Sequence, residues 1–175
     1  MPVKTTKDLT KELERTLRDL ASMEVLIGIP AEAGTHPGTS LTNAELGYIH
    51  EHGAPEANIP ARPFLTPGVA RIGDKIADTL AMGAANAVGA TIGSGSRTAG
   101  KAEATNALMK VGLLAQNSVR GLIADGIAPP LAARTVYARL HRKKNRRSPG
   151  PMTPLIDTGQ LLRSITYRVK NRKEY

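Results

Sequence analysis

The chain has 175 residues, of which 41% are hydrophobic, and a formal net charge of +9. That length suits one domain, spanning residues 1–175, with one core. Cysteine is absent, which excludes disulfides and thiolate metal sites. No stretch is long and apolar enough to cross a bilayer as a helix. The opening MPVKTTKDLTKELERTLRDL lacks the apolar core of a signal peptide, and the absence of cysteine fits an expected assembly in a reducing cytoplasm.

The charge is uneven. Residues 1–133 carry 12 Lys and Arg against 13 Asp and Glu, whereas residues 134–175 carry 12 against only Asp157 and Glu174. The excess therefore belongs to the C-terminal quarter and points to a local contact with something anionic. Aromatics are scarce, with one Phe and four Tyr, so the core must rely on Leu, Ile, Val and Ala.

Taken in order, residues 5–22 read as a helix, with Leu9, Leu13, Leu17 and Leu20 along one face. Thr5 and Asp8 have the spacing of a capping box. Met23 to Ile29 reads as a strand whose near-continuous apolar run suggests burial on both faces. Ala31 to Ser40 is a loop. Thr42 and Glu45 form a second capping box, opening a short helix that ends at Gly53. Pro60 and Pro63 then hold Ile59–Leu65 extended, which suggests a strand, with Phe64 buried. Thr66 can cap the next helix, with Pro67 at its first position. Val69, Ile72, Ile76 and Leu80 continue that helix, and the pattern dissolves into small residues from Gly83 to Gly95. Lys101 to Ala124 restores it, with a stop at Asp125-Gly126. Residues 89–100 therefore read as a flexible segment inside a long Ala/Gly-rich helical region.

Pro129-Pro130 interrupts the chain, and Leu131 to Leu140 forms a short helix. From His141 to Pro151 no residue is apolar, so residues 141–153 read as a mobile basic loop that projects Arg142, Lys143, Lys144, Arg146 and Arg147. Asp157-Thr158-Gly159 opens one more helical turn, and Ile165, Tyr167 and Val169 alternate as a last strand. The expected fold is α+β: a small antiparallel sheet from regions 23–29, 59–65 and 165–170, packed against several helices.

Three motifs invite chemistry. Residues 95–102, GSRTAGKA, match a phosphate-binding loop except that Ala102 replaces the Mg²⁺-binding hydroxyl, and no buried strand precedes them. They read better as a flexible inter-helix linker. His50 and His52 stand two apart, whereas zinc-binding helices place histidines four apart. Asp157-Thr158-Gly159 has the triplet of aspartic proteases but no second copy, and fits a helix N-cap better. The basic run has no interleaved aromatics, so it suits phosphate contact without sequence preference, or docking on an acidic protein.

Two blocks carry a family resemblance: NAELGYIHEHGAPEANIPARPFLTPG from Asn43 to Gly68, and PLIDTGQLLRSITYRV from Pro154 to Val169. Together they resemble the tail-completion, or neck, proteins of tailed bacteriophages. The resemblance implies a structural part of the virion at the head–tail junction, not an enzyme, with no cofactor and no metal. It implies a homo-oligomeric ring of six or twelve subunits around the DNA channel, joining the head connector or head-closure protein to the tail terminator. It assigns structural or interface roles to Glu51, Gly53, Pro60, Arg62, Pro63, Phe64, Asp157, Thr158 and Gly159. The isolated protein is then expected to be monomeric or weakly associated, forming its ring on the connector. A reading from a different class is a small DNA-binding protein that uses 134–173 as a phosphate clamp without sequence preference. No constellation of residues supports a hydrolase.

Overall fold

The computed structural model describes residues 8–35, 39–142 and 151–172. They fall into two compact units: the described parts of Met1–Leu26, Gly73–Leu114 and Tyr167–Tyr175, and those of Ile27–Ile72 and Ala115–Thr166. The architecture is α+β, with a two-stranded antiparallel sheet packed against several helices.

In the first unit, helix α1 (Thr10–Ser22) leads directly into strand β1 (Met23–Gly28). The capping box expected at Thr5 and Asp8 is not the start of this helix. Thr5 lies outside the described residues, and Asp8 instead accepts a 2.9 Å hydrogen bond from the Thr10 N–H. β1 pairs with β2 (Thr166–Asn171), and Glu24 faces Lys170 and Arg172 across the pair. No residue of β1 is buried and Leu26 is exposed. The apolar run predicted burial on both faces, but with one neighbour in the sheet the strand remains an edge.

Helices α4 (Gly73–Ser94) and α5 (Arg97–Asp125) are joined by Gly95 and Ser96 alone. The segment expected to be flexible at 89–100 is thus helical almost throughout. Its small residues are the packing surface. Gly83, Ala87 and Thr91 recur every four residues and are the buried positions of α4. A Cβ on Gly83 would collide with Ala107 of α5. Gly100 lies against Thr91 Oγ1, Ala87 O and Thr16 Cγ2, so α1, α4 and α5 meet at a point with no space for a side chain. There the fully buried hydroxyls of Thr16 and Thr91 lie 2.9 Å apart. Arg97 forks onto Asp19 at 2.6 and 2.7 Å, tying the start of α5 to α1. That bond holds the Asp19 carboxyl below its ordinary pKa.

In the second unit, Thr42 and Glu45 form the expected reciprocal box at the start of α2 (Asn43–His52). Gly53 ends the helix at φ 79°, where a Cβ would meet the Ala61 nitrogen at 2.8 Å. Residues 59–65 do not form a strand; among the described residues their one ladder contact is the Ala54–Ile59 bridge. The reason is a shortage of donors. Pro60 and Pro63 have no N–H, Arg62 N–H donates to His50 O, and the N–H groups of Phe64 and Leu65 go to Glu51. Phe64 is nonetheless buried, in a core with Val119, Ile123 and Ile165. Helix α3 (Leu65–Ala70) presses Gly68 onto Val119, whose Cα would be 2.8 Å from an added Cβ. Helices α6 (Ala133–Leu140) and α7 (Gln160–Ser164) complete this unit.

The two kinds of glycine predict opposite responses in thermal melts. Gly89 is exposed within α4 with nothing near its Cβ position, so Gly89→Ala should stabilise the protein by about 0.5–1 kcal/mol. Gly100→Ala should destabilise it by about 1–3 kcal/mol through overpacking. Equal melting temperatures for the two variants would contradict this packing.

Candidate functional site

The residues singled out in the sequence converge in the second unit. Glu51, in the last turn of α2, lies beside the start of α3. Its Oε2 accepts from the N–H groups of Phe64 at 2.7 Å and Leu65 at 2.9 Å, and its Oε1 accepts from Thr66 N–H at 3.0 Å. Thr66 was expected to cap this helix. Instead the cap comes from a neighbouring helix, and Phe64, at φ −122° and ψ −32°, is the residue at the N-cap position. A carboxylate is suited to this place because three orphan donors and the positive end of the helix point at it. Burial opposes ionisation of Glu51, but the three N–H groups outweigh it and hold its pKa below the ordinary value.

Next to this cap is a cavity of about 450 Å³. Pro60 and Arg62 of the first motif block line it, as do Asp157, Thr158 and Gly159 of the second. Two of its wall residues are buried arginines. Arg62, 8% exposed, donates from Nε to Pro129 O at 2.8 Å and from one terminal nitrogen to Pro130 O at 2.9 Å. Arg139, 7% exposed, donates from a single nitrogen to the carbonyls of Pro151, Thr153 and Ile156. Desolvation lowers the Arg139 pKa from its ordinary value.

Asp157 and Thr158 do not act as the expected N-cap. Gly159, at φ 75°, occupies that position, and Thr158 Oγ1 makes only a 3.3 Å contact with the Gln160 N–H. Asp157 pairs with Arg142 at 2.7 Å. Arg142 is therefore not part of a projecting loop; its side chain is 24% exposed and its pKa is raised by that bond. Lys143, Lys144, Arg146 and Arg147 lie outside the described residues. The far end of the expected loop is anchored, because Pro151 and Thr153 accept from Arg139.

His50 lines the cavity, whereas His52 is exposed and stacks near Tyr48 with ring centroids 4.3 Å apart. Among the described residues no group of three His, Cys, Asp or Glu is placed to hold a metal. The phosphate-loop lookalike is absorbed by the helix junction: Arg97 is engaged by Asp19, and Gly100 is packed against α4. Sequence reasoning missed Arg139. Its signal lay in its surroundings, since Pro-rich irregular segments leave carbonyls that a buried guanidinium can satisfy.

No family model, no curated protein and no solved structure matches the chain.

The Glu51 cap predicts a pH-dependent cost. A depressed carboxylate pKa contributes stability that is present above the ordinary glutamate value and is lost as pH falls through the folded one. In urea unfolding, Glu51→Gln should cost about 1–3 kcal/mol at neutral pH. The gap from wild type should shrink below the usual glutamate value of 4.5. A gap that is absent at neutral pH, or unchanged in acid, would contradict the cap.

Proposed function

We propose that this protein is a structural subunit of the head–tail junction of a tailed bacteriophage, acting as a ring of six or twelve copies between the head connector and the tail terminator. The carrying observation is the convergence of two motif blocks almost ninety residues apart. The block holding Glu51, Pro60, Arg62 and Phe64 and the block holding Asp157, Thr158 and Gly159 share one cavity and one core. Their side chains cap, tie and fill, which is the chemistry of a scaffold.

Two further features support an assembling subunit. In the first unit Met82, Ile92, Met109 and Leu113 leave α4 and α5 with large exposed apolar side chains, as a subunit with neighbours requires. The basic C-terminal quarter is also partly committed internally. Arg139 is buried against backbone carbonyls, Arg142 is paired with Asp157, and Lys170 and Arg172 face Glu24. A clamp on DNA phosphates would need those charges free. The expectation of a monomer in isolation rested partly on a flexible 89–100 segment; that part of its motive falls away, because the segment is helical.

Particles made without this chain should accumulate as filled heads and free tails, and added protein should restore joining. Replacing Lys143, Lys144, Arg146 and Arg147 by Ser should leave the melting temperature unchanged and reduce joining, as high salt should. Normal joining without the protein would overturn the proposal. Salt-sensitive DNA retention in a gel, with no effect on joining, would favour the DNA-binding reading.

A further inference from the structure

The cavity of the second unit holds more positive charge than its walls neutralise. Asp157 is the one acidic side chain on those walls, and it is paired with Arg142. Arg62 and Arg139 are both more than nine-tenths buried and bond only to neutral carbonyls. Those bonds engage Nε and one terminal nitrogen of Arg62 and a single terminal nitrogen of Arg139. The Asp157 carboxylate also acts on Arg139, so one acid is shared between Arg139 and Arg142 while Arg62 lies against carbonyls. Buried cations short of counter-charge are costly, and a carboxylate that takes two guanidinium groups at once is the natural remedy.

The other walls say what carries the acid. Leu46, Ile59, Pro60, Pro129, Leu131 and Leu155 give the cavity a mostly apolar lining. Apolar walls with a few converging polar groups are the pattern of a site that orients one charged group on an apolar body. We propose that this cavity binds an extended, largely apolar segment of a protein partner through a carboxylate that takes the remaining N–H groups of Arg62 and Arg139. Nucleic acid fits less well, since a phosphate backbone brings no apolar surface to these walls. Within the given sequence, the segments outside the described residues offer little acid to the site. The residues outside the described structure include a single acidic side chain, Glu174, and residues 143–150, which follow Arg142, contain none. The inference stands apart from the phage reading; within that reading, the partner would be an adjacent ring.

Methyl NMR of Leu46, Ile59 and Leu155 tests it. The probes are acetyl-Leu-Glu-Leu-Pro-amide and isocaproate, set against the matching Gln peptide and isocaproamide. The two acids should shift all three residues, and the neutral isosteres should bind at least about tenfold more weakly. Arg62→Lys keeps the charge but loses the fork and should weaken the acids. Thr135→Glu places a carboxylate on the cavity wall and removes no side-chain hydrogen bond, so it should abolish binding with an unchanged melting temperature. Equal binding of acids and isosteres, or no shift at millimolar acid, would overturn the proposal. Tighter binding in Glu174→Gln would also overturn it, by giving the cavity to Glu174 of the same chain.

Discussion

The second unit depends on one carboxylate accepting three backbone N–H groups. Glu51 stands at the end of a helix that is fixed at its own start by the Thr42–Glu45 box and stopped by Gly53. Its acceptors set where α3 begins, and so where Phe64 enters the core. The same turn of α2 supplies the His50 carbonyl that holds Arg62 N–H, which aims the Arg62 side chain at the Pro129–Pro130 carbonyls. The proline-pinned segment needs these contacts because it has too few donors to join a sheet. Capping by a residue distant in sequence replaces the ladder the segment cannot build.

Sequence pattern was informative wherever the deciding interaction is local. The Thr42–Glu45 box, the Gly53 stop and the buried Phe64 depend on neighbours within a few residues or on one dominant side chain. Local spacing misled where distant partners decide. Thr66 has the chemistry of a cap, but Glu51 reaches the donors first. Asp157 has the chemistry of a cap too, but Arg142 is the stronger partner. The strand expected at 59–65 failed for the same reason, since its N–H groups were already claimed.

The long helices teach a second lesson. Hydrophobic periodicity weighs large side chains, so it saw nothing between Gly83 and Gly95. At those positions α4 packs by smallness. Gly83, Ala87 and Thr91 form a stripe onto which α5 closes, and the arrangement tolerates so little volume that Gly100 meets both a hydroxyl and a carbonyl. A chain with one Phe and no Trp can build a core in this way, replacing bulk by close backbone approach.

Arginine in the second unit is best understood as a donor before it is understood as a charge. Arg62 serves the carbonyls of Pro129 and Pro130, Arg71 that of Ser118, Arg120 that of Ile165, and Arg139 those of Pro151, Thr153 and Ile156. A guanidinium has five N–H groups in a rigid fork, so one side chain can satisfy several carbonyls of an irregular segment that no strand pairs with. This explains how a chain can carry a net charge of +9 without most of these arginines forming an electrostatic footprint. It also explains why the surplus appears at the cavity. The fork has more donors than the carbonyls of two loops can use, and the charge that comes with it meets a single acid, Asp157, which Arg142 already engages.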